Sequence, residues 1–287
     1  MQFKADIFYT PFFILEFLLI IVSFSRSKAL SLDIHLKLLE ESSSSSCLYE
    51  TSVRANENLR KVSPTEQISF HQTIPHITLY LTNFVDERIE EIVHTLKSIV
   101  TCLPQQPIEI DDAIVNGPYA MYQVVNPKSL QSLSDAVVEN IRSFITPNQQ
   151  VPDWVYNLPE PERSRKINYV ERYGSPNVFD EFEPHITVGY DDGGDGGFPS
   201  PSESERRRIL LGTLGENGSC ERAILGMVGV GFVGEYGTVV SELIQIPLYT
   251  DDGKRGAKCM GKSGNGNVFR NSSSEAQEGG AMSKIAL

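Results

Sequence analysis

Two copies of one tetrapeptide carry the residue types that acid–base chemistry on a phosphate needs: Pro75-His76-Ile77-Thr78 and Pro184-His185-Ile186-Thr187. Each runs on into residues that suit a strand, Leu79-Tyr80-Leu81 and Val188-Gly189-Tyr190. In a strand, residues i and i+2 share a face. Each motif therefore offers an imidazole beside a hydroxyl, while Ile77 and Ile186 point into a core. Two imidazoles across a groove can cleave a phosphodiester. A neutral ring takes a proton from the attacking water or hydroxyl, and a protonated ring gives one to the leaving oxygen. An ordinary histidine pKa of about 6.5 suits both tasks, and each proton transfer contributes on the order of 100- to 10,000-fold in rate. His76 and His185 are the candidate catalytic pair. Thr78 and Thr187 are the candidate phosphate-binding hydroxyls. The scheme calls for no metal and no cofactor.

One His-x-Thr alone says little, because threonine favours strands and histidine occurs anywhere. The force lies in the matched pair. His71-Gln72-Thr73 has no apolar run after it and reads as a loop or strand end. His35 and His94 have no matched partner and read as surface or packing residues.

The elements that must position these motifs follow from hydrophobic periodicity. Leu30 to Leu38 alternates apolar and polar residues, as a half-buried strand does. Helices are predicted over Leu48–Val62, Asp86–Val100, Leu130–Ile145 and Glu203–Leu214. Strands are predicted over His76–Leu81, Ile108–Val115, Tyr119–Val125, His185–Tyr190, Ile224–Phe232 and Thr238–Ile246. The serine run Ser42–Ser46 and the glycine run Asp192–Gly197 are loops, and Pro147–Pro161 is a connector holding Trp154, the single tryptophan. Each half has a histidine strand, a helix, then a strand pair turning at Gly-x-Tyr: Gly117-Pro118-Tyr119 and Gly234-Glu235-Tyr236. This repeat predicts two lobes, roughly 30–145 and 165–250, facing each other across a central groove. Tyr119 and Tyr236 fall at equivalent turns and are candidates for stacking on a base, with packing as the commoner role for such tyrosines. Arg163, Arg165, Lys166 and Arg172, and the triple Arg206–Arg208, read as solvated helix faces, with steering of an anionic substrate as the alternative.

Composition bounds the rest. The 287 residues carry a net charge of −12 and are 40 % hydrophobic. That is enough for a sizeable core and too apolar for a disordered chain. The acidic balance excludes an extended nucleic-acid surface, which needs many cations, yet permits a pocket for a single phosphate or RNA end. The four cysteines Cys47, Cys102, Cys220 and Cys259 form no CxxC pair, so zinc is not expected. Spacing cannot pair them, and both oxidised and reduced sets stay open.

Residues 1–29 hold an apolar run, Phe12–Phe24, ahead of the small residues Ser27-Lys28-Ala29. This reads as a signal peptide or signal anchor, with a secretory location expected and the cytoplasm as the alternative. Membrane contact is expected only through that segment. Asn217-Gly218-Ser219 and Asn271-Ser272-Ser273 are then glycosylation acceptors. Residues 251–287 are rich in Gly, Ser and Asn and are expected to be disordered.

The two motifs, the repeat, and the run Tyr173-Gly174-Ser175-Pro176-Asn177-Val178-Phe179 ahead of the second motif resemble the 2H phosphoesterase superfamily, nearest its 2′-5′ RNA ligase and cyclic phosphodiesterase branch. The resemblance covers about Leu30 to Leu248. It implies an α+β, bilobal fold with antiparallel sheets and outer helices around a central cleft, in a monomer. It also implies functional roles for His76, Thr78, His185 and Thr187. The implied activity is opening of 2′,3′-cyclic phosphates on a nucleotide or RNA end. The alternatives are 2′-5′ ligation or cleavage, and a binding module without turnover. The motifs do not say which histidine is acid and which base; a leaning toward His185 as base comes only from the resemblance.

Overall fold

The computed structural model describes residues 28–38, 46–193 and 200–249. The expected leader, most of the serine loop, the tip of the glycine loop, Asn271 and the tail lie outside the described residues. Among the described residues no helix is long and apolar enough to cross a membrane.

The fold is α+β, with two four-stranded antiparallel sheets. The strands are β1 (Ala29–Lys37), β2 (His76–Val85), β3 (Gln106–Asn116), β4 (Tyr119–Val124), β5 (His185–Tyr190), β6 (Arg222–Leu225), β7 (Met227–Val233) and β8 (Val239–Pro247). The main helices are α1 (Ser46–Val62), α2 (Ile89–Val100), α3 (Lys128–Ile141), α4 (Asp153–Tyr156), α5 (Glu162–Tyr173) and α6 (Glu203–Leu214). One sheet has the order β2-β1-β7-β8 and the other β5-β4-β3-β6. Helices α2 and α3 lie with the first sheet, α1 and α6 with the second.

The expected lobes 30–145 and 165–250 do not follow these sheets. The first sheet joins β1 and β2 to β7 and β8 from the far end of the chain, and α1, early in sequence, packs on the second sheet. The chain crosses over at Gly226. The strand expected over Ile224–Phe232 breaks there into β6, in the second sheet, and β7, in the first. A Cβ on Gly226 would sit 2.5 Å from Gln105 Nε2, so the crossing leaves no room for a side chain as packed. Hydrophobic periodicity records that both pieces are strands. It carries no mark of the sheet each one joins.

Both histidine strands are edge strands, β2 of the first sheet and β5 of the second, and they pack against each other. The alternate residues Ile77, Leu79, Ile186 and Val188 are almost wholly buried in the core. Two polar side chains fix the strands to their helices. Ser134 Oγ on α3 donates to the Leu79 carbonyl at 2.9 Å. The buried Asn56 Nδ2 on α1 donates to the Val188 and Ile68 carbonyls at 2.9 and 3.0 Å.

Cys47, at the start of α1, is disulfide-bonded to Cys220, just ahead of β6, with the Cα atoms 5.8 Å apart. Cys102 is also disulfide-bonded. The Cys47–Cys220 link spans 173 residues. In the chain-entropy view, a loop of that length restricts the unfolded chain by up to about 5 kcal/mol. Cys47→Ser is therefore expected to lower stability by about 2–5 kcal/mol in denaturant titration under oxidising conditions. An unchanged midpoint and slope would count against a structural role for the bond.

Candidate active site

The motif histidines are held alike. His76 Nδ1 lies 2.6 Å from the Ile74 carbonyl and His185 Nδ1 lies 2.8 Å from the Glu183 carbonyl, in each case two residues upstream. A carbonyl only accepts, so Nδ1 must carry a proton in both rings. The neutral ring then presents the Nε2 lone pair, and the charged ring presents an Nε2–H. Each motif thus sets up one working nitrogen, with Pro75 or Pro184 starting the strand beside it. His76, Thr78, His185 and Thr187 are all half-buried, in phase along their strands. His185 senses the charge of His76. Burial lowers the His185 pKa, and the charge of His76 adds to that fall against the opposing pull of Glu183 and Asp33.

The surroundings of the two motifs differ. Behind His76 and Thr78 lies a buried charged network on β1 and β8. Asp33 and His35 are both fully buried. Asp33 Oδ2 accepts a hydrogen bond from Thr78 Oγ1 at 2.7 Å and lies 3.6 Å from His76 Nε2. The His35 ring lies 5.1 Å from the His76 ring, centre to centre. His35 Nε2 meets Glu242 Oε1 at 3.2 Å, and Glu242 also pairs with Lys37. Burial works to raise the Asp33 pKa, but the two neighbouring histidines, the charge of His76 first and then His35, outweigh it and hold the carboxyl well below its usual range. Burial works against a charge on His35, yet Asp33 and Glu242 push its pKa up to about 9. Glu242, opposed by burial and favoured by His35 and Lys37, is held down at about 2. Opposite the second motif, in register on β4, stand the uncharged Gln123 and Met121.

His35 was expected to be a surface or packing residue; it is buried within this network instead. The available signal was Asp33-Ile34-His35, which puts an acid and a histidine on one face of β1. The alternating pattern assigned that face to solvent. A register shift between Ile34 and His35 where β1 meets β2 brings both side chains to the first motif. The space for His35 comes from Gly229 and Gly231 on β7. An added Cβ would run into His35 Nε2 at Gly229 and lie 3.3 Å from His35 Cε1 at Gly231.

Tyr119 and Tyr236 are brought together through Tyr190, which sequence reading passed over. Tyr190 stacks on Tyr236 with ring centres 4.0 Å apart and meets Tyr119 edge-on at 4.8 Å. As placed, these rings stack on one another and tie the β7–β8 turn to the end of β5. The basic stretches are largely paired. Arg163 pairs with Glu160, Arg165 and Lys166 with Glu181, Arg206 with Glu66 and Arg207 with Asp112. Lys166 and Arg206 are buried rather than solvated, because each has a carboxylate to meet inside. His71 is exposed in a turn, and His94 is exposed on α2.

Two edge strands that pack on each other thus carry one imidazole and one hydroxyl apiece, His76 with Thr78 and His185 with Thr187. Residues 56–196, a stretch that includes both motifs, match the family model of the 2′-5′ RNA ligase superfamily, and the chain belongs to that superfamily, among the 2H phosphoesterases. Solved structures similar to it include E. coli LigT complexed with phosphate, at 14 % identity and a TM-score of 0.43, covering 78 % of this chain and 100 % of LigT. TT0787 of Thermus thermophilus is 12 % identical, with a TM-score of 0.46, over 76 % of this chain and 97 % of that one. Kluyveromyces marxianus Usb1 is 10 % identical, with a TM-score of 0.38, over 76 % of this chain and 98 % of Usb1. No curated protein matches the sequence.

Proposed function

We propose that this chain is a phosphodiesterase that opens 2′,3′-cyclic phosphates, or related cyclic nucleotide phosphates, with His76 and His185 as its acid–base pair. The observation that carries this reading is the identical tethering of the two rings. Each Nδ1 is occupied by a backbone carbonyl, which leaves Nε2 as the working nitrogen, and each ring has a threonine on the same strand face. Water adds to phosphorus and passes a proton to one ring. The bond to one ribose oxygen breaks, and that oxygen takes a proton from the other ring. A phosphate monoester remains.

The test is turnover of nucleoside 2′,3′-cyclic phosphates and of 2′-5′-linked dinucleotides by purified protein in a chelating buffer. Multiple turnover of the cyclic phosphates, faster than of the dimers, is the expected result. Faster cleavage of the dimers would move the assignment to the 2′-5′ linkage. Nucleotide binding with no product from either would replace the enzyme with a binding module. The reading includes a secretory location, supported by the Cys47–Cys220 bond, since such bonds persist in oxidising compartments.

A further inference from the structure

We infer that Gln123 is a further phosphate-binding residue, its side-chain amide donating a hydrogen bond to a non-bridging oxygen of the cyclic phosphate beside the second motif. This rests on the function proposed above and deepens it. Strand β4 pairs with β5 so that Gln123 stands opposite His185 and Met121 opposite Thr187. Residues directly opposite in an antiparallel pair share a face, with Cβ atoms about 4.5–5.5 Å apart. The burial pattern agrees. Tyr119, Met121 and Gln123 are half-buried and alternate with the buried Ala120, Tyr122 and Val124, as His185 and Thr187 alternate with Ile186 and Val188. The Gln123 side chain therefore lies beside the His185 ring on the face that carries both motif side chains. Its amide has no hydrogen-bond partner among the described residues. Neither polar atom of that amide is sealed in the core, so both are open to a ligand.

The matching places beside the first motif are filled differently. On β1, Lys37 stands opposite His76 and His35 opposite Thr78. Lys37 is committed to Glu242, and His35 is buried between Asp33 and Glu242. Met121 has no N–H or O–H to give. Of the four side chains in register with the motif residues, Gln123 alone offers an uncommitted donor. A carboxamide suits a phosphate oxygen at this place. It brings two N–H donors and no charge of its own, and a hydrogen bond to an anionic oxygen is about twice as strong as one between neutral groups. Gln123 Nε2 and Thr187 Oγ1 then hold the phosphate from one strand pair. His185, with Nδ1 fixed on the Glu183 carbonyl, keeps Nε2 for the proton transfer. The contact is to the phosphate and not to the nucleoside, so it serves any five-membered cyclic phosphate alike.

The test compares wild type, Gln123→Met and Gln123→Glu on two compounds that share the five-membered cyclic phosphate. One is a nucleoside 2′,3′-cyclic phosphate. The other is glycerol 1,2-cyclic phosphate, which has neither base nor ribose, assayed as a substrate or, where it turns over too slowly, as a competitive inhibitor. Circular dichroism and the thermal midpoint report folding. Gln123→Met keeps the length and removes the donor. It is expected to lower kcat/KM, or weaken inhibition, by about tenfold on both compounds. Gln123→Glu keeps the shape but sets a negative charge against the phosphate, and is expected to cost at least about tenfold more. A packing role alone would leave a folded Gln123→Met close to wild type. Either variant, folded and within about threefold of wild type, overturns the inference, and one variant decides it if the other does not fold. A deficit seen with the nucleoside compound and absent with the glycerol compound also overturns it, because the amide then meets the base or ribose. Each of these outcomes leaves the proposed function standing. A wild type that turns over neither compound removes the function first, and the inference with it.

Discussion

His76→Ala and His185→Ala are each expected to lower turnover of a nucleoside 2′,3′-cyclic phosphate by about 100- to 10,000-fold, with the double variant falling little further than the worse single one. The size follows from the chemistry. In the proposed mechanism each ring moves one proton in the transition state, and neither the other ring nor a water would replace it at the same distance and angle. The lack of additivity follows from the shared event. When one proton transfer is lost, the remaining group assists a different and slower reaction, so removing it as well costs little more. His71→Ala, which alters an exposed turn residue in a similar tripeptide, is the matched control and is expected to keep full turnover. Steady-state rates with single-turnover controls check this. A motif variant within tenfold of wild type on substrate-saturated turnover would show that the two rings do not act on one phosphate.

Gly229→Ala, a change of one methyl group on β7, is expected to destabilise the protein by about 3–5 kcal/mol, the range for breaking a buried ion pair. The new Cβ would overlap His35 Nε2 and lie 2.6 Å from Glu242 Oε1. His35 has no room to yield, because it is fully buried and held by Asp33 on one side and Glu242 on the other. For a folded unit of this size, the loss corresponds to a fall in Tm of about 10 °C.

The variant also changes the dependence on pH, and the sign is fixed. The His35 pKa is raised from 6.5 to about 9 by its carboxylate partners. Its stabilising contribution is therefore complete below about 6.5 and is lost as pH rises through about 9, an effect on the order of 3 kcal/mol. Wild-type Tm is expected to fall across that window, and Gly229→Ala, with the network already broken, to show little of that slope. Equal slopes in the two proteins would mean that His35 is not the group titrating.

The sequence by itself picked out the two histidine motifs and nearly every element that carries them. Proline before each histidine, an apolar residue between histidine and threonine, and strand-forming residues after them are local facts, and strand geometry turns them directly into an imidazole and a hydroxyl on one face. The same holds for the amphipathic stretches that became α2 and α3. The tertiary structure alone decided which strands share a sheet. Periodicity marks a buried face without naming the strand beside it, so the crossing at Gly226 and the exchange of strand pairs between the sheets left no trace in the pattern. It also decided the inequality of the two motifs. Asp33 and His35 look like the wet face of an ordinary strand. They become a buried charged support for His76 only because β2, β7 and β8 close around them, and a charge acquires its effect from the distance and dielectric around it rather than from its place in the chain.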